Sequence, residues 1–165
     1  MDTITVKRAI KGDAEAYGCL IKGIEDQAYK IAYCYLNNRD DAMDCVCASV
    51  ERAYRKIHQL KKPQYFKTWF IRIVINECKQ VLKMRQRFTP ITEGIKLKQV
   101  DTLPDLDLQC MIAGLPTTEK AIVYMKYYSG YTLDEIATIL SLPSGTVRSK
   151  LYRTLKRMRK ELENA

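Results

Sequence analysis

The chain has 165 residues, 47% of them hydrophobic, and carries 28 Lys/Arg against 19 Asp/Glu, a net charge of +9. That apolar content supports packed cores and excludes wholesale disorder. The charge points to a polyanionic partner, nucleic acid or else an anionic membrane surface. No apolar run is long enough to span a bilayer, and the start, MDTITVKRAIKGDAEA, lacks the apolar core of a signal peptide. A cytoplasmic protein without membrane insertion is expected. The six cysteines (Cys19, Cys34, Cys45, Cys47, Cys78 and Cys110) form no CxxC pair, and His58 is the single histidine. No metal centre and no cofactor are expected, and in a reducing compartment the thiols read as small, buried or half-buried apolar side chains. One histidine and no Gly-rich phosphate loop also argue against an enzyme.

Helical periodicity dominates the chain, with no sustained alternation of a strand. A short helix is expected over Thr3–Ile10, with Val6, Ala9 and Ile10 inward. Gly12-Asp13 punctuates, and Asp13 is a good N-cap for a longer helix through Leu36, with Gly18 and Gly23 as its weak points. Residues 37–40 form a turn. Asp40 or Asp41 then caps a third helix to His58, with Val46, Val50, Ala53, Tyr54 and Ile57 inward. Residues 59–64 make a polar, cationic loop. A fourth helix runs from Tyr65 to Arg85, with Phe66, Trp69, Phe70, Ile73 and Val74 toward a core. Lys61, Lys62, Lys67, Arg72, Lys79, Lys83 and Arg85 interleave with these rings. Cations beside aromatics suit a single nucleic-acid strand, whose bases stack on rings while its phosphates meet charge.

Residues 87–104 lose the helical period and contain Pro90, Gly94 and Pro104. They divide the chain into an N-terminal domain (1–86), a linker (87–104) and a C-terminal domain (105–165). In the latter, a short helix is expected over Leu106–Ile112 and another from Pro116 to Tyr128, ended by Ser129-Gly130. Leu133, Ile136, Ala137 and Leu140 share one face of the next helix. Leu142-Pro143-Ser144-Gly145 breaks the pattern, with Pro143 suited to a new first turn. The last helix aligns Val147, Leu151, Leu155, Met158 and Leu162. Its opposite side carries Arg148, Ser149, Lys150, Tyr152, Arg153, Lys156 and Arg157. Residues 105–144 hold 2 basic and 5 acidic groups, residues 145–165 hold 7 and 2. The cations are confined to one helix, as a recognition helix entering a major groove requires. The fold class is all-α: two small helical domains joined by a flexible linker.

The order of motifs is more particular than a helix-turn-helix alone. Lys11-Gly12-Asp13 with Tyr17, Asp41-Ala42-x-Asp44-x-Val46, Tyr54-Arg55, and Phe66-Lys67-Thr68-Trp69-Phe70-Ile71-Arg72-Ile73 with Asn76 and Cys78 come first. Leu115-Pro116, Gly130-Tyr131-Thr132, Glu135-Ile136-Ala137, Leu140 and Gly145-Thr146-Val147-Arg148-Ser149 follow. In this order and spacing the chain resembles the extracytoplasmic function (ECF) sigma factors of the bacterial sigma-70 family over nearly its whole length.

The resemblance implies a sigma region 2 bundle, a linker threading the polymerase cleft, and a sigma region 4 helix-turn-helix domain. It implies an RNA polymerase sigma factor that binds core polymerase through the β′ clamp helices and the β flap, and that directs initiation at promoter DNA. Asp41, Asp44 and Arg55 would meet polymerase, although both acids also suit a helix N-terminus. Lys61, Lys62, Tyr65, Phe66, Trp69, Arg72, Asn76 and Lys79 would hold the single-stranded −10 element. Asn76 would line a base pocket, its amide offering donor and acceptor, or else be a buried structural amide. Thr146, Arg148, Ser149, Lys150, Tyr152 and Arg153 would read the −35 element. Family members commonly have an anti-sigma factor, often membrane-anchored. The chain departs from the family pattern at Met43, Cys47 and Ala48, where polar or acidic residues are usual, and at Ser141, where Gly is common. A stand-alone helix-turn-helix regulator with an N-terminal sensor domain is the alternative.

Overall fold

The computed structural model describes residues 2–88 and 114–164, and every regular element in them is helical. Helix α1 spans Thr3–Ile10, its first turn closed by Asp2, which accepts from the Ile4 amide at 3.1 Å. Helix α2 spans Ala14–Lys22. Asp13 caps it as expected, accepting from the Ala16 amide at 3.0 Å and pairing with Arg8 at 2.7 Å. The amide hydrogen bond, and then Arg8, hold the Asp13 carboxyl below its ordinary pKa.

The long helix expected from Asp13 to Leu36 is two helices. The chain turns at Gly23, the Ile24 amide bonds back to the Ile21 carbonyl at 2.9 Å, and α3 runs Glu25–Leu36. Ile24, 2% exposed, becomes a core residue at the corner. Gly18 stays inside α2, so only one of the two weak points yields. Asn37, in the left-handed region at φ 49°, ends α3. The cap of α4 (Arg39–Lys56) is neither Asp40 nor Asp41: Asn38 accepts from the Asp41 amide at 2.9 Å, and both acids fall in the first turn. Two 3-10 turns, Ile57–Gln59 and Pro63–Tyr65, form the cationic loop. Helix α5 then runs Phe66–Phe88, past the expected end at Arg85.

The second group comprises α6 (Thr117–Tyr127), α7 (Leu133–Leu140) and α8 (Ser144–Glu163). Gly130, at φ +71°, makes the corner after α6. Thr132 and Glu135 form a reciprocal capping box on α7. The expected helix at Leu106–Ile112 and nearly all of the expected linker lie outside the described residues.

Helices α3, α4 and α5 pack on one another, and α1 with α2 closes one side. Phe66, Phe70, Ile71, Val74 and Ile75 of α5 meet Ala28, Ile31 and Ala32 of α3, all at 1% exposure or less. Each large apolar side chain so buried contributes about 1.5–3 kcal/mol. In the second group α8 packs on α6 and α7. The groups also touch: α6 lies on α3 and α7 on α5, and the buried side chains form one continuous cluster.

Three packing expectations are corrected. The inward stripe of α8 is Val147, Leu151, Thr154 and Met158, with Thr154 1% and Leu155 36% exposed. Thr154 tolerates burial because its hydroxyl donates to the Lys150 carbonyl at 2.8 Å. Tyr54 is 45% exposed, its ring tilted on Tyr17 at 5.0 Å instead of filling the core. The thiols also divide. Cys45 and Cys78 are buried with their Sγ atoms 3.2 Å apart across α4 and α5, and Cys34 is half-buried, whereas Cys19 and Cys47 are exposed. Cys110 lies outside the described residues.

Candidate nucleic-acid interface

The outer face of α5 collects four of the eight expected −10 residues, Trp69, Arg72, Asn76 and Lys79. Trp69, Ile73, Asn76 and Gln80 follow one another at helical steps along it, over about 16 Å of axis. Arg72, Lys79 and Lys83 line the flank, all exposed. Asn76 is itself exposed, so the alternative of a buried structural amide does not hold. Beside it α4 and α5 enclose a groove of about 360 Å³, lined by Arg52, Lys56, Ile73, Asn76, Glu77 and Gln80. Four of these (Arg52, Lys56, Glu77 and Gln80) were not singled out from sequence. Glu77 and Gln80 could have been, since they stand one and four positions after Asn76. Arg52 and Lys56 arrive from another helix, which no local pattern announces.

At the start of α5 the expected residues separate. Lys61, Lys62 and Tyr65 are exposed, with the Lys62 ammonium 6.0 Å from the Tyr65 ring centre. Trp69 is half-buried. Phe66 is 1% exposed and stacks on Phe70 at 6.0 Å, so its ring is core and presents no surface to DNA.

On α8, Arg148, Ser149, Tyr152 and Arg153 are exposed, and Thr146 and Lys150 are partly so. Tyr152, at 69%, is the most exposed aromatic among the described residues. The Ser149 hydroxyl donates to the Gly145 carbonyl at 2.8 Å, and the Arg153 Nε donates to the Ser149 carbonyl at 3.3 Å. Both side chains thus lie along their own helix. Arg157, expected on the outward face, instead reaches α6 and pairs with Glu119 at 2.8 Å. The turn before α8 carries Ser141 at φ 57°, the left-handed backbone for which Gly is the usual choice.

The expected polymerase-facing residues also divide. Asp41 is held by the Arg85 guanidinium of α5. Asp44 is exposed, in a stripe with Met43, Cys47 and Ala48. Arg55 pairs with Glu51 one turn back, at 3.3 Å. This face mixes one acid, without an ion-pair partner among the described residues, with a thioether, a thiol and a methyl group.

Family models match two segments: sigma-70 region 2 over residues 20–88 and sigma-70 region 4 over residues 105–158. The chain is 30% identical over 138 residues to the RNA polymerase sigma factor SigV of Bacillus subtilis, covering 81% of this chain and 83% of that protein. It is 28% identical over 178 residues to the ECF sigma factor SigW of the same organism, covering 96% and 95%. Among solved structures, CnrH in complex with the cytosolic domain of CnrY superposes with a TM-score of 0.73 at 16% identity, covering 99% of this chain and 97% of that one. RpoE of Bartonella quintana, solved with the anti-sigma factor NepR, gives the same TM-score at 19% identity, covering 89% and 96%. These two structures share the fold. The matched regions and the sequence relatives make this chain a member of the ECF group of the sigma-70 family of RNA polymerase sigma factors.

Proposed function

We propose that the chain is a dissociable promoter-specificity subunit, which binds core RNA polymerase and grips a promoter at two points. The observation that carries this reading is the pairing, on one chain, of two different nucleic-acid surfaces. One is a cationic α5 face around the exposed Asn76 and the Lys61–Tyr65 loop, suited to an unpaired −10 strand. The other is a helix-turn-helix whose α8 turns Arg148, Lys150 and Tyr152 outward, suited to a −35 duplex. The division into residues 1–86, 87–104 and 105–165 belongs to the same reading. Asp44, the stripe around it and Arg55 form the surface offered to the β′ clamp helices, and the second group meets the β flap. The chain works as a binding subunit and not as an enzyme, in the cytoplasm. No helix among the described residues is long and apolar enough to cross a membrane. An anti-sigma factor, membrane-anchored or free, is the expected regulator, since RpoE of Bartonella quintana, a protein of this fold, was solved with one. A stand-alone regulator would have no use for the α5 face, and the relatives along most of the chain are sigma factors.

The test is reconstitution. The purified chain, added to core polymerase, is expected to form a stable holoenzyme and to start transcription at discrete sites on genomic fragments. A chain that binds core but starts nowhere, or binds promoter fragments without core, overturns the proposal.

A further inference from the structure

Cys45 of α4 and Cys78 of α5 are 33 residues apart in sequence, yet their Sγ atoms meet at 3.2 Å. Both are buried, at 3% and 0% exposure. A thiol that only fills a core packs as a small apolar side chain and needs no second sulfur beside it. A disulfide holds its sulfurs about 2.05 Å apart, so this pair stands only about 1 Å from bonding distance. The Cys45 thiol donates to the Val74 carbonyl at 3.7 Å, which leaves its sulfur to accept from Cys78. With Cys78 as donor, the contact holds the Cys45 thiol below its ordinary value in spite of burial. The same contact, and then burial, push the Cys78 thiol up. One sulfur is readied to lose its proton and the other keeps it, the division that stepwise oxidation uses.

We propose that Cys45 and Cys78 form an oxidation site, which a hydroperoxide closes into a disulfide stapling α4 to α5. The Cys45 thiolate attacks one peroxide oxygen and the O–O bond breaks. The departing hydroxide takes up the proton that Cys45 released and leaves as water, so Cys45 becomes a sulfenic acid. The Cys78 sulfur then attacks the Cys45 sulfur. The S–S bond forms, the S–O bond breaks, and the hydroxide leaves as water with the Cys78 proton. Two thiols and one hydrogen peroxide give one disulfide and two waters, the sulfurs supplying the two electrons that the peroxide accepts. Burial excludes bulky reagents, but hydrogen peroxide is little larger than water and needs only a brief local opening. A reducing compartment keeps the pair as thiols at rest. The staple lies between two working faces: Cys45 follows Asp44 of the polymerase-facing stripe, and Cys78 stands two residues after Asn76. Binding constellations need placing within about 0.5 Å, so closing the sulfurs by about 1 Å impairs these faces. That consequence, unlike the chemistry, rests on the proposed sigma-factor function.

The first experiment treats the full chain with hydrogen peroxide after iodoacetamide has blocked the exposed thiols. Denaturation, a second alkylating label and peptide mapping should find Cys45 crosslinked to Cys78, both unlabelled until dithiothreitol is added. The thermal midpoint should rise by roughly 5–10 °C, as closing a loop of this length does, and fall back on reduction. Cys45→Ser and Cys78→Ser should each abolish that rise; if either fails to fold, the mapping on the unsubstituted chain still decides. Free Cys45 and Cys78 after peroxide, or crosslinks to other cysteines in place of this one, overturn the proposal whether or not the chain is a sigma factor. The second experiment assembles holoenzyme from the oxidised chain once peroxide is removed. Transcription should fall about tenfold, as on loss of one base contact, and recover with dithiothreitol, while Cys78→Ser treated in the same way should lose little. Unchanged transcription by the crosslinked chain overturns the functional consequence. If the reduced chain starts no transcription either, the sigma-factor reading fails and the oxidation site is judged by its crosslink alone.

Discussion

Tyr65 and Phe66 are neighbours with opposite roles. Tyr65 is 49% exposed on the cationic loop, and Phe66 is 1% exposed against Phe70. Phe66→Ala should leave a core cavity costing about 3–5 kcal/mol, visible as a lower melting temperature before any DNA is added. Tyr65→Ala should leave melting nearly unchanged and weaken binding of a −10 single strand by about 1–3 kcal/mol, the size of one base–ring stack. Thermal denaturation and oligonucleotide titration of the two variants separate these outcomes, and a Tyr65→Ala variant that melts early without losing DNA affinity would reverse the assignment. The thiols follow the same logic of position. Burial raises the Cys34 thiol to about 11. The Cys45–Cys78 contact and burial push the Cys78 thiol up further. Cys19 and Cys47 are exposed, and they should take up a maleimide in the native protein while the other three described thiols wait for unfolding.

At the scale of the element, the helix-turn-helix is held by local chemistry. Thr132 and Glu135 close the start of α7, and Leu142 bonds back to the Ala137 carbonyl at 3.0 Å after the left-handed Ser141. Ser141→Gly should relieve the turn and raise stability by about 1 kcal/mol, read as a higher unfolding midpoint; no change or a loss would mean that the Ser side chain compensates its backbone. On α8 the exposed Arg148 has no ion-pair partner among the described residues. Arg148→Ala should lower −35-dependent transcription about tenfold, as one lost base contact does, with core binding unchanged. An equal loss of core binding would refute its placement at the DNA.

For the whole molecule, the contact between the two helix groups matters most. The Gln27 amide joins them with both ends: its Nε2 donates to the Ser129 carbonyl at 3.4 Å, and its Oε1 accepts from the Tyr131 hydroxyl at 3.2 Å. Tyr131 is 5% exposed, and burial pushes its pKa up. Burial does the same for Tyr17, whose hydroxyl donates to the Val50 carbonyl at 2.6 Å, and for Tyr35. A phenol whose pKa is raised on folding contributes stability that is full below its unfolded value, about 10, and is lost as pH rises through the folded value. The protein should therefore hold its stability through neutral pH and lose it progressively above about pH 10. Circular dichroism melts across that range check this. Tyr131→Phe should remove part of the alkaline loss, together with one hydrogen bond of about 1 kcal/mol at neutral pH.

The sequence by itself determined the helical class, the positions of nearly all described helices, the concentration of the second group's cations on α8 and the family resemblance. Each depends on spacing within one element, where a 3.6-residue period, a cap or a glycine acts over a few residues. Tertiary structure decided what depends on a neighbouring helix. It put Thr154 inward and Leu155 outward, because the direction of the facing core, not hydrophobicity alone, sets the rotation of α8. It broke the long second helix at Gly23 and not at Gly18, since only the former corner turns Ile24 into the core. It buried Phe66, engaged Asp41 with Arg85, and brought Arg52 and Lys56 of α4 beside Asn76 and Glu77 of α5. Four of the groove's six lining residues come from α5 and two from α4, so its chemistry could not be read until the second helix was packed against the first.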